Sequence, residues 1–381
     1  MKIKKIIISL LLAATLVANV GCKEQTMREY EKTLQTGNVG AHGHVQGIAT
    51  DGEYYYSSIT SILVKQDAKG KVVGSVIGFG DLDRCHLGDM TYNPDDGMLY
   101  ASLYVRLNDE VGAHDKSCYV VIVDPKAITD VEMQANDVCR VVDVTKPIAA
   151  LAEQNVGFDL RLGGKYAVKY GVDSCTFGPK FGSKSKKGKK YLTMTCSTAT
   201  YSLTADGVTP YDRTDADYFT IFQYDVTEWN EYARPFGEIA LANGPEKPDG
   251  TYFYYAGFHD YGVQNLCYDE YKNVYFATTY YTDYKEPTRS KFPNYTFFVI
   301  DPAYVKEQTL EGIGEKGAVL RSKYGIRDDS GVQGYSLSAS VGILSLGDGK
   351  YYVASVAKGG ATMMLYEWSK DTSECCIIEV E

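Results

Sequence analysis

A short block returns five times along the chain, and its return restricts the fold more than any other feature. A polar cluster runs into an apolar strand, crosses a tight turn and enters a second strand, often rich in Tyr. The copies begin at His44-Val45-Gln46-Gly47, His86-Leu87-Gly88-Asp89, Gly171-Val172-Asp173-Ser174, Gly262-Val263-Gln264-Asn265 and Val341-Gly342-Ile343-Leu344. Self-similarity of this kind marks a repeat architecture.

Each copy extends into a four-stranded meander. The first reads Gln46–Thr50, Glu53–Ser58, Ile62–Asp67 and Lys71–Ile77, with turns at Asp51-Gly52 and Lys69-Gly70, where glycine supplies positive φ at little cost. The last reads Gly342–Leu346, Lys350–Ala357, Thr362–Trp368 and Glu374–Glu381. In the middle copies the fourth strands are expected at Cys139–Val142, Phe236–Ala240 and Ala318–Arg321. The third strand ends in Asp at Asp67, Asp124, Asp225 and Asp301, a turn former. The 33 Tyr residues, with many Val, Ile and Thr, favour strands. A lone meander leaves apolar faces bare, and radial stacking buries them. The chain is therefore all-β, a five-bladed β-propeller of four-stranded antiparallel meanders. Six blades is the runner-up, with Val156–Lys169 and Gly331–Ser340 able to hide the extra one. Both end copies can be written with four strands of their own, so closure is expected from side-chain packing, helped by residues 26–40.

The N-terminus reads differently. Lys2, Lys4 and Lys5 precede an apolar stretch from Ile6 to Val20, too short for an ordinary span, and Gly21-Cys22 follows. This resembles a bacterial lipoprotein signal, with Asn19 a departure and ordinary secretion the rival. The resemblance implies lipidation of Cys22, a membrane partner through that anchor, and a cell-envelope location. The organisation expected is a signal peptide over 1–21, anchor and linker over 22–40, and one propeller over 41–381.

The net charge of −10 argues against a nucleic-acid partner. The one basic run, Lys180 to Lys190, reads as a solvated hairpin tip. No cysteine spacing matches zinc or a redox pair. Cys175 and Cys267 read as buried small side chains, and a Cys175–Cys196 bridge stays open.

The blocks from Gly43 to Gly52, from His86 to Asp89 and from Gly262 to Gln264 resemble blocks of an uncharacterised bacterial β-propeller-like lipoprotein family. That resemblance implies fold and no activity.

Inner strands line a propeller axis, so the blade starts bring His44, Gln46, His86, Asp89, Asp173, Gln264 and Asn265 towards one mouth, with His259 leading towards the fourth. Three readings compete. These groups satisfy one another around a wet channel, as part of a non-catalytic envelope scaffold. Alternatively they bind a small polar or glycan ligand, amides and carboxylates meeting hydroxyls beside Tyr rings such as those of Tyr252–Tyr255 and Tyr280-Tyr281. Or they catalyse. His44, His86 and Asp89 would then hold a divalent metal, or Asp89 and Asp173 would be the acid/base pair of a carbohydrate hydrolase or lyase. Five-bladed glycosidases carry three acids at inner-strand starts, whereas this chain has two, with Gln264 and Gly342 in further places.

Overall fold

The structure, a computed structural model, describes residues 30–36, 42–80, 85–106, 116–153, 168–198, 218–257, 259, 262–280, 292–310, 315–357 and 360–381. The chain divides at Glu31/Lys32, and the fold is that of the unit Lys32–Glu381. Cys22 lies outside the described residues, as do the signal and nearly all of the expected anchor.

Five sheets form a five-bladed β-propeller. Counted from the axis outward, blade 1 is Val45–Thr50, Tyr55–Ile59, Ile62–Gln66 and Val72–Ile77. Blade 2 is Cys85–Asn93, Met98–Arg106, Lys116–Val123 and Cys139–Asp143; blade 3 is Val168–Pro179, Lys190–Thr198, Tyr218–Tyr224 and Gly250–Tyr255. Blade 4 is Val263–Asp269, Val274–Thr279, Phe297–Ile300 and Ser322–Tyr324, and blade 5 begins Ile343–Ser345, Lys350–Ala357 and Gly360–Trp368. Among the described residues there is no sixth blade; Gln333–Gly334 makes only a short pairing with Ile326–Arg327.

The core lies between the blades. Alternate residues of a strand face opposite sides of its sheet. Leu99 and Ala101 therefore join the cluster against blade 1, while Tyr100 joins the one against blade 3. Similar clusters fill the gaps between blades 3 and 4, around Phe219, Tyr254, Tyr275 and Phe298, and between blades 4 and 5, around Phe276, Phe297, Tyr335 and Tyr351. The tyrosines also carry polar work. Tyr56 donates to Asp51 Oδ2 at 2.7 Å and Tyr100 to Asp96 Oδ2 at 2.6 Å, each clamping the turn before its strand.

The recurrent Asp at the third-strand end has one repeated job. Asp67, Asp124, Asp225 and Asp301 each accept the backbone amide two residues on, from Lys69, Lys126, Thr227 and Ala303. In blade 5 the hydroxyl of Ser369 does the same for Asp371. These are Asx and Ser turns.

Three expectations need correction. The fourth strand of blade 3 is Gly250–Tyr255, not Phe236–Ala240. The latter segment lies within a short 3-10 helix, Phe236–Leu241, whose Phe236 ring packs edge-on against Phe79 at 5.5 Å. Tyr252 and Tyr254 of the true strand are buried packing groups. The fourth strand of blade 4 is Ser322–Tyr324, since Lys316–Val319 instead runs parallel to the outer strand of blade 3.

Closure is the third. The outer position of blade 5 is shared between the two ends of the unit. Thr33–Gln35, within the stretch expected as linker, pairs with Thr362–Met364, and Ile377–Glu379 pairs with Tyr366–Trp368. Leu34 is buried, and Thr36 exchanges two bonds with Ala361, through its backbone amide and its hydroxyl. The ring thus closes through backbone hydrogen bonds as well as side-chain packing.

Cys175 and Cys196 are unbridged. Cys175 faces Met194 across the pair of strands and Cys196 faces Val172, so the two are not partners in register. Cys175 and Cys267 are buried, as expected.

Candidate functional site

The inner strands of blades 1 to 4 share an irregularity. Their register with the second strand slips between Val45 and Gly47, Leu87 and Met90, Val172 and Ser174, and Val263 and Asn265. The extra residues are Gln46, Gly88 with Asp89, Asp173, and Gln264. A bulge re-aims the side chain that it inserts. The polar residues at the blade starts are thus mostly bulge residues, displaced from regular alternation at one level of the axis.

Asp89 turns inward. Its carboxylate accepts the amides of Met90 at 2.9 Å, Cys175 at 3.3 Å and Leu266 at 2.9 Å, from the inner strands of blades 2, 3 and 4. Blade 1 meets it through Gly47, where a Cβ would lie 2.4 Å from Asp89 Oδ1. Gly88 is equally constrained, since a Cβ there would approach the Asp173 carbonyl oxygen to 2.7 Å. Asp89 is 2 % exposed, and burial pushes its carboxyl well above the usual range against the opposing pull of the three amides. It is an axial tie, with both oxygens engaged.

Asp173 and His86 turn outward. His86 Nε2 lies 4.0 Å from Asp173 Oδ1, and both side chains remain partly accessible, at 20 % and 12 %. The His86 ring stacks on Tyr104, its partner across the strand pair, with centroids 4.8 Å apart and planes within 15°. Beside them, His44 Nε2 accepts from the Gln46 amide at 2.9 Å and lies 3.0 Å from the Tyr280 hydroxyl. Gln46 also reaches Thr60 Oγ1 at 3.4 Å, and His42 contacts Ser61 Oγ at 2.9 Å. His44 is exposed as a residue, but partial desolvation of its ring lowers its pKa, favouring a neutral acceptor imidazole.

The remaining candidates are more deeply set. Asn265 donates to the Ser340 carbonyl at 2.8 Å, while its Oδ1 has no partner among the described residues; Thr278, opposite it in register, likewise has a buried hydroxyl without one. Gln264 is buried at its bulge. His259 does not open on the mouth. It packs between Phe219 and Phe298, contacts the Ala256 carbonyl at 3.1 Å, and burial brings its pKa down to about 4.

Among the described residues no three His, Cys, Asp or Glu side chains could share a metal ion. His44, His86 and Asp89 do not form that set, because Asp89 commits its oxygens to amides while the imidazoles engage Tyr280, Gln46 and Tyr104. Of the Asp89–Asp173 pair expected for acid/base work, Asp89 is buried with both oxygens accepting backbone amides, whereas Asp173 stays partly accessible beside His86.

Beyond Asp89 the channel reopens. The far ends of all five inner strands, including Thr50, Tyr92, Thr176, Tyr268 and Ser345, line a cavity of about 160 Å³. Asp89 sits between the two ends, since His86 precedes it on the strand and Tyr92 follows. Nothing in the sequence alone brings Tyr104 or Thr60 to the mouth. Tyr104 is legible only once the register opposite His86 is known.

No protein-family model matches the chain, and no curated protein matches it. Solved structures with similar folds include a GH43 endo-arabinanase from Bacillus licheniformis, 10 % identical, with a TM-score of 0.41, covering 90 % of this chain and 99 % of that one. An exo-1,5-α-L-arabinanase from a bovine ruminal metagenomic library is 9 % identical at a TM-score of 0.38, covering 93 % and 100 %. A protein of unknown function from Bacteroides caccae is 9 % identical at 0.30, covering 72 % and 81 %. At these scores the likeness transfers neither site nor activity.

Proposed function

We propose that the protein is a lipid-anchored propeller of the cell envelope that binds a neutral, hydroxyl-rich ligand, a small polyol or glycan, at the His86–Asp173 mouth. The observation that carries the binding site is the 4.0 Å separation of His86 Nε2 and Asp173 Oδ1 on the inner strands of two blades. A ligand hydroxyl seated over the pair, to one side of the line joining them, can donate to the carboxylate and meet the imidazole, and hydrogen bonds to a charged group are the stronger kind. Tyr104 holds the imidazole plane. His44, Gln46 and Thr60 add neutral polar groups on blade 1. Asp89 closes the channel below, so a ligand enters and leaves by one mouth. The anchor rests on the lipoprotein-like sequence ending at Cys22.

Binding is favoured over hydrolysis because the second carboxylate of a two-acid mechanism is engaged by three amides. Thermal-shift measurements against a panel of soluble mono- and oligosaccharides test the site. At least one sugar should raise the wild-type melting temperature and fail to do so with His86→Ala. A flat panel, or an equal shift in the variant, contradicts the proposal.

A further inference from the structure

A cavity of about 350 Å³ lies between blades 2 and 3, away from the axis. Asn93 ends the inner strand of blade 2 and Lys190 begins the second strand of blade 3, and both line it. It therefore opens at the end opposite His86 and Asp173. Its volume falls within the range of small-molecule sites. The floor is apolar: Met98, Ile122 and Val138 on the blade 2 side meet Val226 and Trp229 on the blade 3 side. Trp229 is buried against Tyr100, with ring centroids 6.5 Å apart.

The charges on the rim are divided between the two sides. Arg140 reaches from the outer strand of blade 2 to the short helix Trp229–Tyr232 beside blade 3. Its Nη1 donates to Asn230 Oδ1 at 3.0 Å, and its Nη2 to the carbonyls of Asn230 at 3.3 Å and Ala233 at 3.1 Å. All three acceptors are neutral, so the positive charge is fixed in place without being offset. Two of the five guanidinium N–H groups remain for a ligand. The neighbouring cations are engaged. Lys189 pairs with Asp225, and the Lys190 ammonium donates to the Lys186 carbonyl at 2.9 Å over the Tyr268 ring.

Three carboxylates stand on the blade 2 side. Asp96 gives its two oxygens to the Met98 amide and the Tyr100 hydroxyl, and Asp124 accepts the Lys126 amide at its turn. Asp95 differs, because its carboxylate accepts no hydrogen bond among the described residues. The apolar floor thus carries an unoffset guanidinium on one side and an unengaged carboxylate on the other.

We infer that this cavity binds a small zwitterion with an apolar body, the chemistry of an apolar amino acid or dipeptide. The ligand ammonium meets Asp95, its carboxylate accepts from Arg140, and its side chain covers Met98, Ile122 and Val226. A fatty acid or a simple amine answers only one of the two charges and leaves the other facing an apolar group, which sets the specificity.

Isothermal titration calorimetry of the full chain tests this with leucine and leucyl-leucine, each beside its N-acetyl and C-terminal amide forms. At least one free zwitterion should bind. Blocking either of its ends should weaken binding about tenfold or more, the loss expected for one charged hydrogen bond. In Asp95→Asn the N-acetyl form should bind as well as the free one, while amidation keeps its penalty. Arg140→Gln should show the converse. The Asp95 side chain makes no bond in the fold, so its variant decides should Arg140→Gln fail to fold. No binding of either zwitterion, blocked forms binding as tightly as free ones, or an N-acetyl penalty unchanged in Asp95→Asn overturns the inference.

Discussion

The Leu266 amide donates to Asp89 Oδ2 at 2.9 Å across 177 residues of sequence, joining blade 4 to blade 2 at the axis. With the Cys175 and Met90 amides on the same carboxyl group, one side chain fastens three inner strands. Asn at this position keeps one acceptor oxygen and turns an NH₂ group towards amide donors. Asp89→Asn should therefore cost about 3 kcal/mol of stability, read as a lowered denaturation midpoint.

Gly47 meets the same carboxylate from blade 1. A methyl there would press on Asp89 Oδ1 at 2.4 Å and on the Asp89 Cα at 2.7 Å, and the backbone cannot step aside cheaply. Gly47→Ala should cost about 2 kcal/mol by overpacking. A neutral result in urea denaturation would show that the axis is looser than this contact implies.

The terminal strand makes a separate claim. Leu34 is 3 % exposed in blade 5, and the Leu365 amide donates to the Lys32 carbonyl at 2.9 Å. Leu34→Ala should lower stability by about 3 kcal/mol. Truncation through residue 36 should speed hydrogen exchange at the Ala361 and Leu365 amides, while the inner strands of blades 2 and 3 stay protected.

His259 predicts a pH dependence. Burial brings it down to about 4 in the folded chain, against about 6.5 unfolded. Between those values the unfolded chain binds more protons, so this contribution is fully present above about pH 6.5 and is lost as pH falls through 4. Its full size is about 3 kcal/mol. Asp89, pushed upward by burial, has the opposite sign: its contribution is present at low pH and fades as pH rises above about 4. The stability difference between wild type and His259→Leu should therefore shrink steadily as pH falls from 6.5 to 4. A difference independent of pH would place His259 in a more polar setting.

Asp124 illustrates what repetition does reveal. It accepts the Lys126 amide at 2.9 Å, as its counterparts do in the other blades. Asp124→Ala should cost about 1 kcal/mol and leave ligand binding untouched.

The blade pattern was legible because apolar alternation and turn glycines act locally. The strand periods and the Asp turns follow from short-range rules. What escaped was decided at longer range. The Phe236 segment reads as a strand until its return to Phe79 is seen, and Thr33–Gln35 has no strand signal strong enough to announce its partner at Thr362–Met364. The site divided in the same way. Clustering at the blade starts was visible from the repeat, but each bulge sets where its side chain points. Asp89 and Asp173 look alike in sequence, yet one meets backbone amides at the axis and the other meets His86 at the mouth. His259 was drawn towards the mouth by its place before the fourth repeat, whereas Phe219 and Phe298 hold it in the core.

That division of labour is tested most directly by titrating wild type, Asp173→Asn and Asp89→Asn with the sugar giving the largest thermal shift. Asp173→Asn should weaken binding about tenfold or more with its melting temperature unchanged, as expected for a lost hydrogen bond to a charged group. Asp89→Asn should lower the melting temperature and keep the affinity of the folded protein. The reverse pattern, with Asp89 governing affinity and Asp173 governing stability, would contradict the account.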